Sequence, residues 1–358
     1  MINVISPINQ LGYGITGLNV VKYLSKSTDV SLWCIGQPQV TNKEDADIIS
    51  TALKNARYPD FNAPCIRIWH QHDMSQFVGR GTKIGFPIFE LDTFSELEKH
   101  HLSSVDKIFV CSHWAKQIVE NTIKDVEVCV IPLGVDTNIF KPLSEDELES
   151  SDRHQSTIFF NCGKWEVRKG HDILVDMFNE AFSENDDVQL WLMCENPFLS
   201  EEETKAWHSR YFRSKLGSKI KIIPRVNTQL EVYSIMKQID CGVFPSRAEG
   251  WNLELLELMS CGKQVIATNY AAHTEFCNAE NSYLIDVEET ELANDNKWFF
   301  GTGNWAKITN KQISQCVEYM KYTHSMKQSL NLVPNLEGIS TANQFSWDNT
   351  AEAIKSYV

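Results

Sequence analysis

Short runs rich in branched apolar residues alternate with stretches of helical spacing, and this happens twice along the chain. INVIS, VSLWCIG, CIRIWH, KIGFPIFE, KIFVCS and EVCVIPLG read as strands in the first series. GLNVVKYLSK, DADIISTALKNAR and WAKQIVENTI lie between them with apolar residues at helical intervals. Strands that are apolar throughout are buried on both faces, so the pattern predicts α/β architecture with a parallel sheet covered by helices. After VIPLGVDTNIFKP comes the acidic, polar LSEDELESSDRHQS, residues 143–156, which reads as a surface linker. A second series follows, from STIFFNCG through HDILVDMFNEAF, VQLWLMC, KIKIIPR, CGVFPS and LELLELMSCG to QVIATN. Two Rossmann-like domains are therefore expected, with ligands beyond the carboxyl ends of the strands in a cleft between them.

Composition removes several function classes. Apolar residues make up 42% and charged ones 22% of 358 residues, as in a folded, soluble chain. The opening MINVISPINQ has no basic stretch before an apolar core, so no signal peptide is expected. No window approaches the roughly 18 apolar residues of a membrane helix. The net charge of -14 offers no basic footprint for general nucleic-acid binding. The ten cysteines are scattered in apolar runs without a CxxC pair, which predicts reduced, buried thiols in a cytoplasmic protein and no cysteine-held metal.

Three stretches carry candidate chemistry. In SRAEGWNLELLELMSCGKQVIAT, residues 246–268, Glu249 and Glu257 stand with seven residues between them. A strand should end near Pro245 or Ser246, and a helix should begin near Asn252 and Leu253 and stop at Gly262. Free N–H groups at that helix start form an anion site. Glu254 can assist the first turn by charge. Glu257 falls among Leu255, Leu256, Leu258 and Met259, where a carboxylate needs donors. Ligand hydroxyls would supply them; a salt bridge to a neighbour at a partly exposed site is the plainer reading. In FFNCGKWEVRKGHDIL, residues 159–174, Lys164, Arg168 and Lys169 put three cations between a strand and a helix. Such a cluster can neutralise a diphosphate, or it can be a solvated loop. In SPINQLGYGITGLNVVKYL, Gly12, Gly14 and Gly17 follow the first strand and precede a helix. GYGITG matches a dinucleotide string; a loop touching sugar or phosphate and an unliganded turn fit equally.

Further candidates follow strands in the first half. In WHQHD, His70 and His72 point the same way if the strand CIRIW continues through them. No third metal ligand stands with them, so polar site residues without metal are the reading taken. Glu90 and Asp92 follow the apolar run in FPIFELD, and His113 and His273 also follow strands.

These motifs resemble the retaining GT-B glycosyltransferases of family four, the glycosyl transferases of group 1, over nearly the whole chain. PSRAEGWNLELLELMSCGKQVIAT resembles the E-x7-E region, NCGKWEVRKGHDIL the loop opening the second domain, and VCSHWAKQIV with VIPLGVDTNIFKP the end of the first. FSWDNTAEAIKSYV resembles the closing helix. The resemblance implies an acceptor-side domain over 1–142, a linker over 143–156, a nucleotide-sugar domain over 157–340, and a helix over 341–358 returning to the first domain. It implies that Lys164 and Lys169, with Arg168 able to share the role, hold the donor diphosphate. Glu257 would bind the ribose hydroxyls, and Glu249 would lie near the donor sugar. Gly14 and the backbone around Asn252 and Leu253 would approach sugar or phosphate. His72 and Glu90 compete for the place facing the reacting centre. Trp251 and Asn252 stand where the family commonly has Phe-Gly, and Lys164 where it commonly has Arg.

The expected activity is retaining transfer from a nucleotide-sugar donor to a hydroxyl acceptor, without metal or other cofactor. A glycan or lipid-linked saccharide is the expected acceptor, the latter implying transient membrane association. Alternatives are a hydroxylated base in DNA as acceptor, glycoside phosphorolysis, and a non-catalytic sugar-nucleotide-binding or scaffold protein.

Overall fold

The computed structural model describes residues 1–144, 147 and 155–358. Most of the expected linker, residues 145, 146 and 148–154, lies outside the described residues. The chain divides into two compact units, one of Met1–Val135, Gly301–Asn304 and Gln344–Val358, the other of Asp136–Phe300 and Trp305–Asn343.

The first unit is built on a six-stranded sheet, ordered β2-β1-β3-β4-β5-β6. Its strands are β1 (Ile2–Ser6), β2 (Val30–Cys34), β3 (Cys65–Arg67), β4 (Lys83–Gly85), β5 (Lys107–Val110) and β6 (Glu127–Val130). Every pairing is parallel, with Val4 opposite both Leu32 and Ile66. All five residues of INVIS are buried, as two covered faces require. Helices α1 (Gly12–Leu24), α2 (Lys43–Asn55), α3 (Glu96–Leu102) and α4 (His113–Thr122) connect them. Asn42, Ser95 and Ser112 accept N–H groups at the starts of the last three, which supplies the caps those helices need. The C-terminal helix, Trp347–Tyr357, also belongs here: it packs on α1, and Thr350 Oγ1 donates to the Pro132 carbonyl at 2.8 Å.

Two local expectations change. The strand at CIRIW stops at Arg67, so His70 and His72 lie in a loop and not on one strand face. Arg67, buried, causes the fold-back: its Nε donates to the Asp73 carbonyl and its Nη2 to the Asp73 carboxylate, each at 2.8 Å. The glycines of GYGITG sit inside the first turns of α1, not ahead of it. Two of them let α1 meet the preceding loop at backbone distance. A Cβ on Gly14 would lie 2.3 Å from Asn9 Oδ1, and one on Gly17 would lie 2.1 Å from Ser6 Oγ. The spacing therefore answers a packing need within the chain.

The second unit holds another six-stranded parallel sheet, ordered β12-β11-β10-β7-β8-β9. The strands are β7 (Thr157–Cys162), β8 (Val188–Met193), β9 (Ile220–Ile222), β10 (Cys241–Phe244), β11 (Gln264–Thr268) and β12 (Tyr283–Ile285). They alternate with α5 (His171–Ala181), α6 (Glu201–Phe212), α7 (Gln229–Met236) and α8 (Leu253–Ser260). A two-stranded sheet, β13 (Thr290–Asn294) with β14 (Phe300–Ala306), and helices α9 (Asn310–Gln328) and α10 (Leu336–Gln344) follow; the polar, Gly-interrupted sequence there carries no clear strand period. The core joins Phe159, Val175, Phe178, Leu190, Val243 and Ile266.

The strand order decides where a ligand can bind. The chain runs outward from β7 through β8 to β9, then returns to build β10 to β12 on the other side. Loops after β7 and β10 thus leave a central pair in opposite directions, the switch point at which open sheets take ligands. Gly170 sits where these loops touch. Its φ is 76°, and an added Cβ would be 2.3 Å from the Pro245 carbonyl oxygen. Gly170→Ala should cost about 2 kcal/mol or more through left-handed strain and this clash. A lower urea midpoint at unchanged m would show it.

Candidate active site

The loop after β7 is not a solvated surface loop. Glu166, Arg168 and Lys169 are buried, and Trp165 anchors them by stacking on Trp207 with centroids 5.5 Å apart. Beneath the loop, His171 Nδ1 accepts the Glu166 backbone N–H at 3.1 Å. That leaves Nε2 as the protonated nitrogen, donating to Asn161 Oδ1 at 2.8 Å, while Asn161 Nδ2 donates to the Val243 carbonyl at 2.7 Å. Burial, and then the Lys169 charge, push the His171 pKa down to about 3. The imidazole is therefore neutral and has a single tautomer.

Above it lies a chain of charges. Lys164 Nζ meets Glu166 Oε1 at 3.0 Å, and Glu166 Oε2 accepts from Arg168 Nη2 at 2.7 Å and Nε at 3.1 Å. Arg168 Nη1 donates to Glu249 Oε2 at 2.7 Å, and Lys169 Nζ to Glu249 Oε1 at 2.9 Å. Ser246 Oγ completes Glu249 Oε1 at 2.9 Å. Burial acts to raise the Glu249 pKa, but Lys169 and Arg168 outweigh it and hold the carboxyl far below its usual range. Burial likewise acts to lower Lys169, and Glu249 and then Glu254 overcome it and keep the ammonium charged. Three cations are thus paired with two carboxylates at the carboxyl edge of the sheet, with Glu254 near enough to act on Lys169 as well.

The loop after β10 leads into α8 through Asn252, whose φ of 92° is a left-handed value unusual for a side-chain-bearing residue. Asn252 Oδ1 accepts the Leu255 N–H at 3.3 Å, capping the helix. Its Nδ2 meets His273 Nε2 at 2.9 Å, and His273 Nδ1 meets the Thr268 carbonyl at 3.0 Å. The carbonyl can only accept, so Nδ1 carries the proton and Nε2 accepts from Asn252. Burial lowers the His273 pKa, consistent with this neutral ring. The Asn252 side chain thus ties the start of α8 to His273. Leu253 is the first residue of α8. Glu257, one turn on, is buried, and among the described residues no side chain or backbone group hydrogen-bonds its carboxylate. Burial and then Glu254 raise its pKa well above the usual value. Among the described residues, the neighbouring salt bridge of the plainer sequence reading is not formed.

In the first unit, Gly14 lies in the first turn of α1, after β1, while His72 and Glu90 lie in the segments that follow β3 and β4. His72 is exposed, and its ring stacks with that of His70 at 5.2 Å. Tyr13 packs against His70 at 4.7 Å and donates through Oη to the Ile88 carbonyl at 2.8 Å. Burial, and to a smaller extent the charge of Glu90, raise the Tyr13 pKa well above its usual value. Asp92 accepts from the Asn304 N–H at 2.7 Å and is engaged by its side-chain amide. His113 is exposed at the start of α4. Sequence reasoning missed Glu166 and His171 and treated His273 as an isolated candidate; for Glu166, the only signal was an acid among three cations. Among the described residues, no group of three or more His, Cys, Asp or Glu side chains is placed to hold a metal ion, and no helix is long and apolar enough to cross a membrane.

Residues 156–297 match the family model described as glycosyl transferases group 1. No curated protein matches the chain by sequence. Among solved structures, the chain is similar to sucrose-phosphate synthase from Thermosynechococcus elongatus, with TM-score 0.71, 15% identity, and coverage of 99% of this chain and 97% of that one. It is similar to the Anabaena protein HepE in complex with UDP-glucose, at TM-score 0.69 and 15% identity over 99% and 98% of the two chains. WaaG, a glycosyltransferase involved in lipopolysaccharide biosynthesis, aligns at TM-score 0.66 and 11% identity over 100% and 99%. The fold is GT-B, two Rossmann-like parallel-sheet domains, and the matched segment is similar to the glycosyl transferases of group 1.

The neutral histidine under the basic loop has a measurable signature. Unfolded, His171 takes a proton near pH 6.5; folded, it refuses one until about 3. Its contribution is complete above pH 6.5 and is lost as pH falls, at up to about 1.4 kcal/mol per unit. Between pH 6 and 5, above the ordinary carboxylate range, the unfolding free energy of the wild type should fall more steeply than that of His171→Asn. Urea titrations at closely spaced pH values test this.

Proposed function

We propose that the protein is a retaining glycosyltransferase of family four, moving a sugar from a nucleotide-sugar donor to a hydroxyl of a glycan or lipid-linked saccharide. The observation that carries this is Glu257, a buried residue whose carboxylate has no hydrogen-bond donor among the described residues, on a helix whose N-terminus adjoins a buried cluster of cations. A carboxylate set among apolar side chains is costly unless hydrogen-bond donors complete it, and vicinal ribose hydroxyls are donors of the right kind. The UDP-glucose held by HepE and the lipopolysaccharide role of WaaG support the donor and acceptor classes. A net charge of -14 favours a saccharide over DNA.

In this reading, Lys164, Lys169 and the N–H groups at Leu253 take the diphosphate. Among the described residues Lys169 gives one N–H to Glu249, which leaves two N–H groups of its ammonium for a phosphate. As the anomeric bond breaks, charge accumulates on the leaving oxygen, and these groups bind it more strongly than in the ground state. Glu249, locked ionised by Lys169 and Arg168, orients a sugar hydroxyl through the one lone pair left on Oε2 and stabilises positive character at the anomeric carbon. The acceptor attacks on the face the diphosphate leaves, and the departing phosphate takes the proton. His72, Glu90 and Gly14 serve the acceptor side. Since side chains and helix N–H groups neutralise the diphosphate, activity should persist after exhaustive chelation. Loss restored only by magnesium or manganese would count against this assignment.

Glu257 makes the donor site testable. Hydroxyl donors favour its ionised form, so the ligand should lower its raised pKa and release a proton on binding. Calorimetry with uridine and guanosine diphosphates at pH 7, in buffers of different ionisation enthalpy, should detect that release, and affinity should weaken as pH falls. Glu257→Gln should abolish the proton release and weaken binding about tenfold. Its ligand-free protein should be at least as stable as wild type at pH 7, because an acid with a raised folded pKa loses stability as pH rises above about 4.5. A less stable variant with wild-type affinity would contradict the ribose assignment.

A further inference from the structure

We infer that Glu166 is a resident counter-anion that holds Lys164 and competes with the donor diphosphate for it, so that it sets how tightly diphosphate is held and how readily product leaves. The inference rests on the donor reading above but concerns a residue with no part in it. The two lysines of the loop differ. Lys169 is buried and pinned on Glu249. Lys164 keeps 37% of its side chain exposed, and among the described residues its ammonium has, apart from Glu166, only the ring of Phe198, at 5.4 Å, itself mostly exposed. Glu166, by contrast, cannot move. Arg168 grips Oε2 through two N–H groups, and His171 holds its backbone N–H. Oε1 is left to Lys164 at 3.0 Å. A flexible lysine resting on a fixed carboxylate is a cation stored beside its target. Once it turns to a phosphate, the uncovered Glu166 charge stands within a few ångströms of the bound anion and opposes it. When the diphosphate departs, the same carboxylate takes the ammonium back. The Arg168 contact keeps Glu166 ionised: burial acts to raise its pKa, and Arg168, then Lys164, bring it below the ordinary value.

A merely structural role for Glu166 predicts weaker binding on substitution; the counter-anion role predicts tighter binding. Glu166→Gln keeps the shape and removes the charge. Affinities of uridine diphosphate, guanosine diphosphate and inorganic pyrophosphate would be measured for wild type and variant at two ionic strengths, with thermal melting of the ligand-free proteins. We expect the variant to bind the preferred nucleoside diphosphate, and pyrophosphate, roughly five- to tenfold more tightly, with a steeper salt dependence and stronger product inhibition. The gain should shrink in the Lys164→Gln background, where there is no ammonium to release. Equal or weaker binding by a folded Glu166→Gln protein would overturn the inference, and so would a gain undiminished without Lys164. If pyrophosphate binds and tightens while neither nucleotide binds wild type, the counter-anion stands and the nucleotide reading falls. If no probe binds either protein, both fall. Should Glu166→Gln not fold, Glu166→Asp serves: its shorter arm cannot reach Lys164 as closely, and the same tightening in smaller measure is expected, with its absence overturning the inference.

Discussion

Glu249 between Lys169 and Arg168 is the contact on which the second unit's ligand edge depends. The two cations belong to the loop after β7, and the carboxylate to the loop after β10. Backbone bonds run alongside, from Arg247 N–H to the Arg168 carbonyl at 2.6 Å and from Arg168 Nη1 to the Ala248 carbonyl at 2.7 Å. A buried ion pair adds little net stability once desolvation is counted, yet removing one partner costs about 3–5 kcal/mol. Its effect is geometric. It fixes two loops that leave neighbouring strands in opposite directions, and it holds the ammonium of Lys169 and the carboxylate of Glu249 in one place before any ligand arrives.

Two neutral histidines extend that fixation. His171 ties the Glu166 N–H to Asn161, and His273 ties Asn252 to the Thr268 carbonyl. In each case one ring nitrogen must donate and the other accept, so a charged imidazolium would face a donor with a donor. Burial keeps both neutral. At Asn252 the consequence reaches the backbone: the side chain that caps α8 is itself held by His273, which supports a φ of 92° where the related family commonly has glycine.

The carboxylates flanking α8 show how environment divides equivalent groups. Glu249 and Glu257 are both buried, and both lose solvation. Glu249 has two cations and a hydroxyl; Glu257 has a nearby carboxylate and no donor among the described residues. One is held ionised and the other is pushed toward the neutral acid. Paired groups driven apart in pKa by their surroundings are a mark of functional sites.

Much of this was open to reading from the residues alone. The twofold alternation of apolar runs and helical spacing led to two parallel sheets, because strands covered on both faces have nowhere to put polar residues. Lys164, Arg168 and Lys169 stood out as three cations between a strand and a helix, and Glu257, with seven residues between it and Glu249, as a carboxylate in an apolar helix run. The sequence could not show who meets whom. The pairing of Arg168 with Glu249 spans two strands, and the approach of His273 to Asn252 spans β11; both depend on strand order, which local propensity does not encode. His70 and His72 left their strand because Arg67 found partners at Asp73, and the glycines of GYGITG answered to a backbone contact with Ser6 and Asn9. Residue type and period are local properties, so the sequence by itself determined the two α/β sheets and the candidate chemistry. Pairing across strands, the tautomer of each histidine and the charge state of each carboxylate depend on distance and burial, and only the tertiary structure decided them.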